Sequence, residues 1–230
     1  MWNGKKKAIT FSFDDGVWQD KPLIAILNKY GLKGTFNLNS DCFGSTNTYE
    51  AFGRPICRDR LKVDEAKAVY VGHEVAVHTL THPNLTEQTD QEVIRQVDED
   101  RKNLERIFGY PVVGMAYPCG GVNNNDHVAA LIRENTPIQY ARTITMTHTF
   151  DLQKEHLLRF NATAHFLDPD LERLADAFLA LDTEESQLFY IWGHSYELDA
   201  HGAWERFEKF CQKIANRADI FYGTNREVLL

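Results

Sequence analysis

The residues best suited to chemistry in this 230-residue chain stand in three short runs: Asp14-Asp15-Gly16, His78-Thr79-Leu80-Thr81-His82 and Tyr190-Ile191-Trp192-Gly193-His194-Ser195. Two adjacent carboxylates on a turn can serve different tasks in one pocket, one binding a metal while its neighbour takes a proton. Asp and Gly are also ordinary turn formers, so the triplet needs support from elsewhere. The histidine pair gives that support: imidazoles four residues apart converge on one ion if the backbone between them makes a helical turn. Two imidazoles and one carboxylate leave coordination positions open for water and substrate, the pattern of a catalytic centre. His194 adds a proton donor, which hydrolysis of an amide needs for the departing amine, and imidazole has a suitable pKa.

Each run follows a stretch that reads as a β-strand. Residues 7–13 predict a first strand that stops at Asp14. Leu23, Ile24, Ile26 and Leu27 stand at helical spacing within 21–30, Gly31 ends that helix, and Gly34 to Leu38 is the next strand. Val75-Ala76-Val77 is a short buried strand leading into His78. Thr89 and Glu92 form a capping box that opens a helix to about Phe108, closed by Gly109 and Pro111. Val112 to Tyr117 is a strand stopped by Pro118-Cys119-Gly120-Gly121. The rhythm continues with a helix at 125–135, a strand at 139–145, a helix at 169–181, a strand at 187–192 and a helix at 203–217. Residues 41–60, rich in Gly, Asn, Thr and Arg, predict a long loop facing substrate. Glu227-Val228-Leu229-Leu230 reads like the beginning of a helix. With no repeat or linker, residues 1–230 are expected to form one α/β domain, and parallel barrels assemble their sites at strand C-terminal ends.

Composition narrows the partners. With a formal charge of −8 the chain has no broad positive field for nucleic acid, and Lys5-Lys6-Lys7 reads as a solvated flank. No stretch approaches the roughly 18 apolar residues of a membrane span, and no export signal is visible, so a soluble cytoplasmic protein is the expectation. Cys42, Cys57, Cys119 and Cys211 lack a CxxC pair and read as free thiols, a Cys42–Cys57 bridge being the alternative.

Taken together, the three runs resemble the polysaccharide deacetylases with the NodB homology domain. Ser12-Phe13-Asp14-Asp15-Gly16 is similar to that family's first motif, usually Thr-Phe-Asp-Asp-Gly; His78-x-x-x-His82 to its second; and the strand ending in His194 to its last. The likeness covers roughly residues 7–225. It implies a distorted (β/α)7 barrel of the TIM-like type and a divalent metal, commonly zinc (Zn2+), bound by Asp15, His78 and His82. Asp14 would then be the base and His194 the acid, in a reaction that removes N-acetyl or other N-acyl groups from an amino-sugar-containing oligo- or polysaccharide. The backbone N–H of Cys119 corresponds to the family's oxyanion turn, while Trp18, Tyr117, Trp192 and Tyr196 are candidate walls for sugar rings.

The sequence departs from the family pattern twice. An arginine that braces the base normally precedes the Pro-rich turn, where this chain has Ala116. The fourth motif, an Asp and a Trp near the acid, has no clear copy in 139–152. Arg142, at the end of a predicted strand, is the candidate for the missing positive charge beside Asp14. Two rival readings follow: an amidohydrolase of a small cyclic amide or ureide on the same barrel, and a carbohydrate-binding relative without turnover, motivated by Ala116. Acetate release, ring opening and binding without turnover separate the three.

Overall fold

The computed structural model describes residues 2–230. Strand β1 (Lys7–Asp14) is buried along its whole length, as a parallel strand covered on both faces must be. Its period of two sorts the side chains: Ile9, Phe11 and Phe13 join the core under the helices, and Ala8 joins the cluster inside the barrel. The same parity turns Thr10, Ser12 and Asp14 inward. Around β1 stand β2 (Gly34–Leu38), β5 (Glu74–Val77), β6 (Gly114–Ala116), β7 (Tyr140–Met146), β8 (Phe160–Ala162), β9 (Ala164–His165) and β10 (Gln187–Gly193), and β11 (Ile220–Tyr222) follows near the C-terminus. A separate antiparallel hairpin joins β3 (Thr48–Ala51) to β4 (Arg54–Cys57).

The large sheet runs β8-β7-β6-β5-β2-β1-β10-β9 with every neighbouring pair parallel. β8 and β9 are successive parts of one run of chain, parted only by Thr163. The Thr163 N–H donates to the Tyr190 carbonyl at 2.9 Å, and its own carbonyl accepts from His148 N–H at 3.0 Å. That run therefore bridges β7 to β10 and closes a barrel of seven strand positions, the expected (β/α)7 arrangement. β10 covers one edge of β1; β11 pairs with the first half of the other edge at Lys7, and β2 with the second half from Phe11.

Helices α1 (Asp20–Lys29), α2 (Val63–Val69), α3 (Asp90–Phe108), α4 (Asp126–Asn135), α5 (Leu171–Ala180), α6 (Tyr196–His201), α7 (Trp204–Ile214) and α8 (Asn225–Leu229) complete the fold. At the N-terminal end of the barrel, Trp2 packs with Val228 and Leu229 against Ala8, Tyr140 and Leu188, and its indole N–H donates to the Val228 carbonyl at 3.1 Å. No helix among the described residues is long and apolar enough to cross a membrane.

Several expectations change here. Residues 41–60 are not a plain loop but carry the β3–β4 hairpin, whereas Cys42 and Cys57 are free thiols as expected. Thr89 caps the N–H of Glu92, yet the Glu92 carboxylate turns to Arg95, so only half of the predicted capping box forms. The complete box lies at Thr224 and Glu227, where it opens α8. Helices α2 and α6 and strands β8, β9 and β11 were not expected from the sequence.

Candidate active site

Asp14, Asp15, His78, His82, Tyr117, Cys119, Trp192 and His194 all line one cavity of about 280 Å³ at the C-terminal ends of the strands. Trp18 does not line it and is 41% exposed. A larger groove of about 780 Å³, between α4 and residues 154–159, contains none of these residues.

The carboxylates part company at the strand end. Asp14 keeps the inward parity of β1, whereas Asp15 enters the left-handed region at φ 87°. His78, the residue after β5, donates through Nδ1 to the Ala116 carbonyl at 2.9 Å, which leaves Nε2 with its lone pair facing the carboxylates. The predicted helical turn between the histidines is absent. Thr79 (φ 69°) and His82 (φ 65°) are left-handed instead, and the His82 N–H is held by the Thr79 hydroxyl at 3.1 Å. Cys119 (φ 69°) is left-handed too. Four non-glycine residues thus adopt this strained conformation around one cavity, and such strain clusters at functional sites.

Asp15 Oδ1 lies 3.8 Å from His78 Nε2 and 3.5 Å from His82 Nε2. It is buried without a hydrogen-bond partner; the Arg60 guanidinium is 3.0 Å away but does not aim an N–H at it. Donors held about 2.1 Å from one tetrahedral ion stand about 3.4 Å apart, so this set could hold a divalent metal. Burial pushes the His78 imidazole down to about 4 and lowers His82 as well, so both are neutral at pH 7, the form in which imidazole can bind a metal. Burial would raise Asp15, but Arg60 and the surrounding histidines outweigh it and keep the group ionised.

Asp14 is braced by three hydrogen bonds from two residues. Arg142, fully buried, donates from Nη2 to Oδ1 at 2.6 Å and also to Oδ2, while Asn37 Nδ2 reaches Oδ1 at 2.8 Å. The guanidinium stacks 4.4 Å from the Trp192 ring centroid. Arg142 is the register partner of Ala116, so the arginine stands one strand over from the family's position. Burial opposes ionisation of Asp14, but Arg142, with His78 and His194, holds it below the ordinary carboxylate range.

His194 Nε2 lies 3.9 Å from Asp14 Oδ2. Glu197, in α6, accepts the His194 backbone N–H at 3.0 Å and sits 3.3 Å from Nδ1, with His165 Nε2 3.0 Å from the same oxygen. Burial would lower the His194 imidazole, yet Glu197, aided by Asp15 and Asp14, lifts it to about 9. Arg60, Glu197, His165 and Asn37 escaped the sequence reading. Only Glu197 carried a signal there, its three-residue spacing from His194 at the start of a helix.

The barrel is similar to a peptidoglycan deacetylase from Bacillus subtilis at 19% identity and TM-score 0.52, over 97% of this chain and 90% of that one. A CE4 family pseudoenzyme from Bacillus anthracis matches at 16% identity and TM-score 0.55, over 98% and 66%. A polysaccharide deacetylase from Bacillus cereus matches at 22% identity and TM-score 0.52, over 65% of this chain but only 44% of its own. At these identities the likeness is one of fold. No curated protein matches the sequence. The family model described as polysaccharide deacetylase matches residues 2–136, which hold Asp14, Asp15, His78, His82 and the Pro118-Cys119 turn, and the chain belongs to that family.

Proposed function

We propose that the protein is a metal-dependent hydrolase that removes N-acetyl groups from an amino-sugar-containing saccharide. The observation that carries the reading is Asp15 Oδ1, buried without a hydrogen bond between His78 Nε2 and His82 Nε2, with Asp14 and His194 on the same cavity. Asp15, His78 and His82 would hold the ion, which when bound lowers the pKa of water and stabilises oxyanion charge. Asp14, kept ionised and oriented by Arg142 and Asn37, accepts the proton of the attacking water. The Cys119 N–H, presented by its left-handed turn, donates to the developing oxyanion. His194 enters the reaction protonated at neutral pH, because Glu197 holds the charge there, and delivers its proton to the departing amine. Tyr117 and Trp192 wall the cavity, though the Tyr117 hydroxyl is spent on the Leu158 carbonyl and offers the substrate only its ring.

A pseudoenzyme among the structural relatives makes binding without turnover the second reading. Here Arg142 occupies the place beside Asp14 that Ala116 cannot fill, which favours turnover. Purified protein supplied with Zn2+ should release acetate from N-acetylated chitooligosaccharides. Asp15→Ala should lose bound metal by elemental analysis, and Arg142→Lys, which keeps the charge but not the planar group stacked on Trp192, should lower kcat about tenfold or more. Saccharide binding with no acetate released by the metal-loaded protein would sink the reading.

A further inference from the structure

The charges in and around the cavity pair off one by one. Asp14 has Arg142, Asp15 has Arg60, and Glu197 lies against His194 and His165. Arg58 is left over. It follows β4 at the end of the hairpin segment and lines the same cavity, yet no hydrogen bond or ion pair engages its guanidinium among the described residues, and its Nε is buried without a partner. The group is nonetheless held in place: its central carbon lies 5.2 Å from the Tyr49 ring centroid and 4.9 Å from that of Tyr196, and the two rings meet edge to face. An ordinary surface arginine keeps its rotamer freedom in open water, whereas this one is half-buried and fixed between two rings without a counter-ion. A planar fork fixed between aromatic rings is prearranged for a two-oxygen anion.

The position also says which half of a substrate the anion belongs to. Tyr196 carries Arg58 on its ring and lies 5.1 Å, centroid to centroid, from the imidazole of His194. If His194 protonates the departing amine, as the proposed function has it, the amine-bearing half lies on this side. We infer that Arg58 is a specificity-determining residue that binds an anionic substituent, a carboxylate or a phosphate, on the amine-bearing half of the substrate. The inference rests on the deacetylase reading of the site.

The test compares three N-acetyl sugars: neutral N,N′-diacetylchitobiose, carboxylate-bearing N-acetylmuramic acid and N-acetylglucosamine 6-phosphate. Wild-type protein should show kcat/KM at least about tenfold higher for one of the anionic sugars, and the better of the two identifies the anion. Arg58→Gln should lower kcat/KM for that sugar about tenfold more than for diacetylchitobiose, chiefly through KM, and Arg58→Lys should keep part of the preference. Equal treatment of charged and neutral sugars by wild type, or parallel losses for both in Arg58→Gln, overturns the proposal while leaving the deacetylase reading intact. Should wild type release no acetate from any of them, that reading fails, and calorimetric binding of the same two anions to wild type and Arg58→Gln still decides the fate of Arg58.

Discussion

His194 and Glu197 show how a single neighbour sets a proton donor's working range. The imidazole is buried, which favours its neutral form, and the carboxylate three residues on reverses that preference and lifts it to about 9. An acid must be protonated to act, so the alkaline limb of kcat/KM should fall near pH 9. In Glu197→Gln the neutral side chain no longer opposes burial, the imidazole pKa drops, and that limb should move to lower pH by about one unit or more. A pH–rate profile in which the limb stays put would show that another group governs it. At this scale the sequence spoke clearly about Asp14, Asp15, His78, His82 and His194, because their types and their places after strands are unusual. It spoke through an absence about Arg142, since Ala116 left Asp14 without a brace. Arg58 and Arg60 gave no signal. Their significance lies in what they face, and that depends on how the hairpin folds back over the cavity.

Elements were legible where they are long and follow one period. Strands β1, β2, β5, β7 and β10 and helices α3 and α4 lie within a few residues of expectation, because buried runs and capping residues mark them locally. β8 and β9 were missed although Phe160, Ala162, Ala164 and Phe166 alternate, since two of these are alanines and the stretch is short. β11 has three residues and exists only because β2 leaves half of one edge of β1 uncovered. The convergence of His78 and His82 was anticipated, but through a helical turn; the left-handed backbone at Thr79 and His82 that achieves it has no mark in those side-chain types. Packing between elements gives the sharpest prediction here. A Cβ on Gly114 of β6 would stand 2.0 Å from Cζ of Tyr140 on β7, and that ring is fully buried with its hydroxyl on Glu74. Gly114→Ala should therefore destabilise the protein by about 3 kcal/mol or more, read as a fall in the denaturant midpoint, because the ring has nowhere to move.

Across the whole molecule, Asp20 ties three regions together. It opens α1 and accepts from the hydroxyl of Ser195 after β10 and from that of Tyr70 after α2, each at 2.6 Å. Burial raises its carboxyl from 3.8 to about 7, against the pull of those two hydrogen bonds. The folded state therefore holds a proton that the unfolded chain has already lost between about pH 4 and 7. Stability gained from this proton is complete below pH 4, declines as pH rises toward 7, and is gone above it. Asp20→Asn, which is neutral throughout, should flatten that decline, a difference of up to about 4 kcal/mol at pH 8. Melting temperatures across pH 4–8 for the two proteins should diverge steadily; parallel curves would rule Asp20 out as the source.

The seam at β1 bears on how the chain comes into being. Residues 7–14 are made long before 187–193, which cover one edge of β1, and before 220–222, which complete the other beside β2. Until synthesis has passed Gly193, β1 can pair only with β2, and the rest of its edges stays unmatched. Translation of these residues thus leaves a strand edge open from β1 until β10 has been made, and rapid synthesis should increase dependence on chaperones that cover such edges.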